Sequence, residues 1–195
     1  MMKAKTFQEK WALLTKYENK PALTKKNIKS ICVLANDKDA LVRTEAYDSL
    51  SAFPSKPAQK ILKQAIVHEP NALARSYAIL SWADVTQALG VHKKQKKFLK
   101  QLKKLPKIKK SEHCMLSFYY AKYVLGHKKS LKKLLAFLNS SDYQICCCAV
   151  NLLWDIVSPE NRQSIKQALE HLLQQEVCAS VSENAAELLQ YIKTA

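Results

Sequence analysis

The sequence of 195 residues predicts an all-α protein, a solenoid of about five stacked helix pairs. An apolar ladder with offsets 0, +4, +8 and +11 recurs five times, and these offsets fall on one face of a helix. The second rung is small in every copy, and the intervals between these rungs are 32, 39, 32 and 36 residues. Such a period is typical of helical repeats rather than of one globular core. The copies are Val42, Ala46, Leu50 and Phe53; Ala74, Ala78, Trp82 and Val85; His113, Ser117, Ala121 and Val124; Ile145, Ala149, Leu153 and Ile156; and Val181, Ala185, Leu189 and Ile192.

A separate helix is predicted ahead of the first ladder, from about Lys5 to Glu18. Its apolar stripe has helical spacing and consists of Phe7, Trp11 and Leu14. We therefore expect a single domain, residues 1–195, in which an N-terminal cap helix (1–20) precedes the repeats (21–195).

Residues that start or end helices bound the first two pairs. Thr24 is an N-cap candidate and Pro57 suits the start of a helix. Residues 36–39 form a turn-and-cap cluster before a ladder helix that runs from Ala40 to about Phe53. Asn71 is expected to cap the second ladder helix.

The remaining pairs follow the same logic with proline, glycine and polar residues at their boundaries. Gly90 and Gly126 suit the ends of ladder helices, and Ser158 is predicted to cap a helix that has Pro159 at its first position. The predicted helices are 92–105 and 111–125 for the third pair, 128–138 and 142–157 for the fourth, and a fifth pair that opens at Ser158 and ends with 177–193.

Composition excludes several kinds of site. With two glycines, the chain cannot contain a glycine-rich phosphate loop or a nucleophile elbow, and its histidines form no H-E-x-x-H pattern. The six cysteines form no C-x-x-C pair, so we interpret them as small apolar packing residues, with a redox role for Cys147 as the alternative. No catalytic residue, metal or cofactor is predicted.

The N-terminal segment Met1–Leu14 is interrupted by charges, and no apolar run approaches the roughly 20 residues of a spanning helix. We expect a soluble, cytoplasmic protein without a membrane partner.

A family resemblance rests on two segments. Asp39-Ala40-Leu41-Val42-Arg43, followed by Ala46 and Leu50, resembles the second helix of a HEAT repeat, and Asn71-Ala72-Leu73-Ala74-Arg75 with Ala78 repeats it at a period of 32. The resemblance implies a right-handed solenoid whose second helices line a concave face. It also implies that Asp39 and Asn71 cap their helices, and that Arg43 and Arg75 bond along the stack rather than to a ligand. The later copies depart from this pattern, with Cys114, Cys146 and Ser182 in place of the arginine.

Positive charge is concentrated in one part of the chain. Residues 91–133 carry 15 lysines and one acid, a net charge of +14, whereas residues 134–195 have a net charge of −4. On the helix predicted at 92–105, lysines occupy the face opposite an apolar stripe that includes Phe98. This basic patch consists of Lys93, Lys96, Lys97, Lys100, Lys103, Lys104 and Lys107. It indicates contact with nucleic acid or another polyanion, and the alternative is a solvated face that only aids solubility.

Three further columns of side chains lie opposite the ladder, at offsets of +2, +5 and +6 from the small rung. In a solenoid they would line one groove, aromatic and mildly acidic, which suits a cationic or extended peptide. The predicted groove residues are Asp84, Tyr119, Lys122, Tyr123, Asn151, Trp154, Asp155, Glu187 and Tyr191. The alternative is that some of them pack against a neighbouring repeat or are simply exposed.

Two classes of function fit these features. The first, which we expect, is a non-catalytic scaffold that binds a protein or peptide through its concave face. The second is a DNA- or polyanion-binding protein that resembles the bacterial HEAT-like alkylpurine DNA glycosylases. That resemblance implies a cationic damaged nucleotide held against aromatic rings and a carboxylate, and it rests on Trp154 with Asp155 and on Tyr123 with Asp84. Adjacent residues such as Trp154 and Asp155 diverge by about 100° on a helix, which weakens this second reading.

Overall fold

The computed structural model describes residues 6–18, 24–91, 95–175 and 177–194. All regular secondary structure in these residues is helical, which confirms the predicted all-α class. The helices are α1 Phe7–Glu18, α2 Lys25–Leu34, α3 Ala40–Ser51, α4 Lys56–His68, α5 Ala72–Ala88, α6 Lys96–Leu102, α7 Pro106–Lys109, α8 Glu112–Val124, α9 Leu131–Leu135, α10 Tyr143–Ile156, α11 Arg162–Leu172 and α12 Ala179–Thr194. Short 3₁₀ segments, Lys128–Ser130 and Ala136–Asn139, flank α9. Within the described part of the chain, no helix combines the length and apolarity needed to cross a bilayer.

Side-chain caps explain where the ladder helices begin. Asp39 and Asp142 accept hydrogen bonds from the backbone N–H groups of Leu41 and Gln144, at 2.8 and 2.9 Å, and so satisfy donors that the helix leaves free. Asn71 caps α5 in the same way, as predicted. At the far end of α5, Gly90 adopts φ +64°, a left-handed conformation that glycine takes without strain.

The predicted ladder forms the core. All five small second rungs are buried, and so are the other rungs of α5, α10 and α12. The exceptions are Phe53, which lies beyond the end of α3, and His113 and Val124 of α8, which are partly exposed. The period of the ladder therefore identified the buried face of each second helix.

The chain divides into two compact units, Met1–Gly126 and His127–Ala195. In the first unit α5 is central and packs against α3, α4 and α8. Gln59, near the start of α4, donates to Thr86 near the end of α5, so these two helices are antiparallel. The start of α8 contacts the start of α5, where the Cys114 thiol donates to the Ala72 carbonyl, so α5 and α8 run in the same direction.

In the second unit α12 packs against both α10 and α11. Asn184 near the start of α12 contacts Cys147 near the start of α10, and Tyr191 contacts Trp154 near the ends of the same helices. Consecutive second helices are therefore parallel in this unit as well. Whether residues 1–195 form a single domain stays a prediction.

The first helices of the last three pairs differ from their predicted bounds. In the described part of the helix expected at 92–105, which begins at residue 95, α6 ends at Leu102 and α7 is separate, because Leu105 takes the extended backbone that a residue before Pro106 favours. The helix expected at 128–138 is broken into α9 and its flanking 3₁₀ segments. The start of the fifth pair was also misplaced, since Pro159 lies in a turn that follows Ser158 and α11 begins only at Arg162.

Candidate interaction surfaces

An arginine–glutamate pair joins the first two helix pairs. Arg43 donates from Nε and Nη2 to the two carboxylate oxygens of Glu69, at 2.8 and 2.6 Å, and the Glu69 side chain is only 1% exposed. Tyr47 donates its hydroxyl to the same carboxylate at 2.9 Å, and the backbone N–H of Asn71 donates to it at 2.9 Å. Burial alone would raise the pKa of Glu69, but these hydrogen bonds outweigh it and hold the pKa below its usual value.

Arg75 occupies the equivalent position on α5 and is buried. It donates to the backbone carbonyls of Glu69 and Pro70 in the turn before α5, and its guanidinium also lies 3.9 Å from the Cys114 sulfur on α8. Both arginines therefore hold helices and turns together. This role of the two arginines was predicted from the sequence, but the partnership of Arg43 with Glu69 was not. The available signal was an acidic residue directly before Pro70 and the helix cap Asn71.

The second unit has a cysteine where the first has Arg43. The Cys146 thiol donates to the Leu138 carbonyl at 3.2 Å, and burial, with smaller effects of neighbouring thiols, raises the pKa of Cys146 to about 11. A cleft of about 250 Å³ opens beside it, lined also by Tyr143 and Cys178. The corresponding cleft of about 460 Å³ in the first unit lies over Arg43 and Glu69. The departure from the arginine pattern thus replaces an ion pair with a neutral thiol.

The lysine-rich helix α6 is anchored by an aromatic contact. The Phe98 ring meets Trp82 of α5 edge-on with centroids 4.9 Å apart, and the Lys63 ammonium lies 4.7 Å from the Phe98 centroid. Leu99 and Leu102 are buried beside it. Because the apolar side of α6 is held against the unit, its lysines face outward.

The lysines of the predicted basic patch are exposed where the structure describes them, and Lys93 lies outside the described residues. Their arrangement differs from the predicted single helix face, because Lys103 and Lys104 lie in a turn and Lys107 lies on α7. Lys109 and Lys110, which the sequence analysis left out, extend the set. We call the eight described residues the lysine surface: Lys96, Lys97, Lys100, Lys103, Lys104, Lys107, Lys109 and Lys110. Among the described residues, none of them forms an ion pair with an acid.

Four of the nine predicted groove residues belong to the first unit, and they are mostly engaged within it. Asp84 accepts a hydrogen bond from the buried Tyr120 hydroxyl at 3.0 Å, and Tyr123 is only 6% exposed. The Lys122 ammonium lies 6.0 Å from the Tyr119 ring centroid, and also 5.8 Å from that of Phe118. Asp84, Lys122 and Tyr123 are therefore engaged or buried within the first unit.

The other five groove residues belong to the second unit, where two of them form an exposed aromatic pair. The Trp154 and Tyr191 rings lie 5.3 Å apart between centroids, at 41° to each other, and are 38% and 47% exposed. Asn151 lies one helical turn before Trp154 on α10. It accepts a hydrogen bond at 3.4 Å from Asn184 of α12, a residue that the sequence did not predict for this surface. Glu187 lies one turn before Tyr191 on the same side of α12 and is exposed. We call Asn151, Trp154, Glu187 and Tyr191 the aromatic surface.

Asp155 is exposed and points about 100° away from the adjacent Trp154 on α10, but it lies one turn after Asn151 on the same side of the helix. Partial desolvation raises the pKa of the Asp155 carboxyl above its ordinary value. Within the described residues, neither Asp155 nor Glu187 forms an ion pair. Asp155 and Glu187 therefore each lie one helical turn from a residue of the aromatic surface, Asp155 on α10 and Glu187 on α12.

All six cysteines are free thiols. Cys147, the proposed redox candidate, is partly buried and accepts a hydrogen bond from Asn184 at 3.3 Å. In the described part of the chain, no three side chains of His, Cys, Asp and Glu come together as metal ligands would.

Comparison of the chain with protein-family models, curated proteins and solved structures finds no match. The HEAT resemblance therefore stays a prediction that rests on the segments 39–43 and 71–75. Both segments have a capping side chain at the helix start. Arg43 bonds the Glu69 carboxylate of the next helix pair, whereas Arg75 bonds the Glu69 and Pro70 carbonyls in the turn of its own pair and reaches only the Cys114 sulfur of the next.

Proposed function

We propose that this chain is a non-catalytic helical-repeat scaffold that binds a protein or peptide partner through the aromatic surface of α10 and α12. One observation carries the proposal: Trp154 and Tyr191 contact each other yet remain more than a third exposed. Large aromatic side chains at a surface are the residues that most often dominate binding energy in protein interfaces.

The architecture we propose is a HEAT-like, right-handed solenoid. Its support is the parallel arrangement of second helices in each unit, the burial of all small rungs, and the bond from Arg43 to the turn before the next second helix. A small residue such as Ala149 or Ala185 lets parallel helices approach closely. Within each unit, stacking of this kind places side chains of neighbouring second helices side by side, where a partner can contact both.

A cationic, extended peptide is the partner whose chemistry fits best. A lysine or arginine side chain is attracted to the face of Trp154 or Tyr191, worth about 0.5–1 kcal/mol at an exposed site. Glu187, one turn before Tyr191, supplies an exposed carboxylate that forms no ion pair with any described residue. No lysine or arginine lies on α10, and Lys193 is the only one on α12, so little on these helices opposes a cation.

The proposed location is the cytoplasm, where thiols stay reduced. Its support is that all six cysteines are unpaired, including the exposed Cys178.

A second candidate function, contact with a polyanion, is favoured by a different observation on the first unit. Residues 96–110 hold eight exposed lysines and no acid, and none of these lysines is neutralised by an ion pair within the described chain. Such a cluster raises the local concentration of anionic ligands.

The test of the first function uses a labelled, extended peptide in which lysines are spaced by glycine and serine. Replacing both rings, Trp154→Ala with Tyr191→Ala, should weaken binding by about 2 kcal/mol, or roughly thirtyfold. Phe7→Ala with Trp11→Ala is the matched control, because these two rings of α1 also contact each other, with centroids 5.7 Å apart, and each is 38% exposed. Equal affinity of the Trp154 and Tyr191 double variant and the intact chain would remove the proposal, as would equal binding of the same peptide with glutamate in place of lysine.

A further inference from the structure

The lysine surface differs from an amphipathic, membrane-binding helix because it has no exposed apolar face beside its charges. In this segment Leu99, Leu102 and Ile108 are at most 4% exposed, and the other large apolar side chains, Phe98 and Leu105, are partly buried. No large hydrophobic residue between 96 and 110 is exposed. Helices that lie in a bilayer interface need an apolar face to insert. This surface has none to offer, so its attraction to an anion is purely electrostatic.

The chemistry of the cations narrows the ligand further. All eight charges of the surface are lysines, and the segment contains no arginine. Arginine forms the bidentate pairs by which proteins commonly read guanine, whereas lysine acts as a compact point charge that suits phosphate. The lysine surface is therefore suited to neutralising phosphate charges and not to recognising individual bases.

The shape of the segment agrees with contact on the outside of a polymer. Helix α6 has seven residues and α7 has four, and the turn between them carries Lys103 and Lys104. Both helices are held down by their buried residues, and α6 is further fixed by the contact of Phe98 with Trp82. Neither is free to enter a groove as a long recognition helix does. What remains for contact is a row of side-chain ammonium groups.

We propose that the lysine surface binds nucleic-acid duplexes through their phosphates alone, independently of base sequence. This inference rests on the second candidate function, contact with a polyanion, and is independent of the aromatic surface. A duplex presents one phosphate charge per about 1.7 Å of its axis, a far denser row of anions than an acidic protein offers. Each lysine that neutralises a phosphate releases a counterion, so affinity must fall with salt.

The test measures fluorescence anisotropy of two labelled duplexes of equal length and unrelated sequence, over a salt series of about 50–200 mM. One variant replaces four residues of the surface by glutamine: Lys96, Lys97, Lys100 and Lys104. The matched control makes the same change of charge at four exposed lysines of the second unit: Lys128, Lys129, Lys132 and Lys133. Because all eight positions are exposed, both variants should fold, and circular dichroism verifies this.

We expect equal affinities for the two duplexes, a loss of more than about tenfold in the surface variant, and a loss of less than about threefold in the control. The slope of log affinity against log salt should shrink by about 3.6, which is about 0.9 for each of the four lost phosphate contacts. Equal losses in the two variants, or a clear preference for one duplex, would overturn the proposal.

Two further probes distinguish failure of the duplex-binding proposal from failure of the polyanion-binding function on which it rests. Tighter binding to phosphatidylserine vesicles or to polyglutamate than to the duplexes would overturn the assignment to nucleic acid and leave the polyanion function standing. Absence of binding to all three probes at low salt would remove both.

Discussion

The guanidinium of Arg43 and the carboxylate of Glu69, 26 residues apart, meet through two hydrogen bonds of 2.8 and 2.6 Å. Arg43 lies on α3, and Glu69 lies in the turn that leads into α5. The pair therefore fixes one second helix against the start of the next. Since the Glu69 side chain is almost wholly buried, its charge depends on this partner.

We predict that Arg43→Met destabilises the protein strongly, because it leaves a buried carboxylate without its cation. The free energy of unfolding should fall by about 3 kcal/mol, as measured by urea denaturation. Lys128→Met is the control, because it breaks an ion pair with Glu160 whose side chains are 64% and 78% exposed. That change should cost less than about 0.5 kcal/mol. Similar losses in the free energy of unfolding for the two variants would show that the buried Arg43–Glu69 pair does not stabilise the contact between these helices.

The pKa of Glu69 predicts how stability responds to acid. Its pKa in the folded protein is below the ordinary value of 4.5, so the folded state holds the proton less readily than the unfolded chain does. The stabilisation is therefore fully present above about pH 4.5 and is lost as pH falls through the lower folded value. Glu69→Gln should remove this part of the acid sensitivity, seen as a smaller change of the urea midpoint between about pH 5 and about pH 3. An unchanged profile would contradict the role assigned to Glu69.

The small rungs predict an asymmetry between adjacent alanines on α12. Ala185 is fully buried, whereas Ala186 is exposed. Ala185→Leu should destabilise the protein by about 1–3 kcal/mol, because the larger side chain forces apart helices that pack closely. Ala186→Leu should stay within about 0.5 kcal/mol of the parent. Thermal unfolding of the two variants measures the difference, and equal stability would mean that close approach at this rung is unnecessary.

Much of the fold could be predicted because the ladder has a helical period and its helices have local caps. Asp39, Asn71 and Asp142 act through their own backbone neighbours, so a pattern of a few residues suffices to place them. The first helices of the later pairs were predicted less well. Pro106 limits the backbone of the residue before it, which shortened α6, and the cap expected at Ser158 did not form.

The candidate sites depended on contacts between helices, which periodicity alone does not determine. The predicted columns placed Trp154 and Tyr191 at similar heights on α10 and α12, and the two rings do contact each other. They could not show that Asp84 bonds Tyr120, or that Tyr123 is buried. Those outcomes depend on the rotation of α8 against α5, which a single column of residues leaves undetermined.

The scaffold account predicts no release of bases from alkylated DNA. A base held against the Trp154 ring would not lie directly over Asp155, because the two adjacent residues diverge by about 100° on α10. The measurement is chromatographic detection of free base after incubation with alkylated duplex, with Asp155→Asn as a second sample. Base release by the intact chain that Asp155→Asn abolishes would establish an enzyme and reject the scaffold.

The claim that recognition lies on the aromatic surface is tested most directly by a nuclear magnetic resonance titration of the whole chain with the lysine-containing peptide. The account predicts that the largest shifts at saturation fall on Asn151, Trp154, Glu187 and Tyr191, including the Trp154 indole N–H. Shifts that leave these four residues unmoved while the peptide binds elsewhere would contradict it.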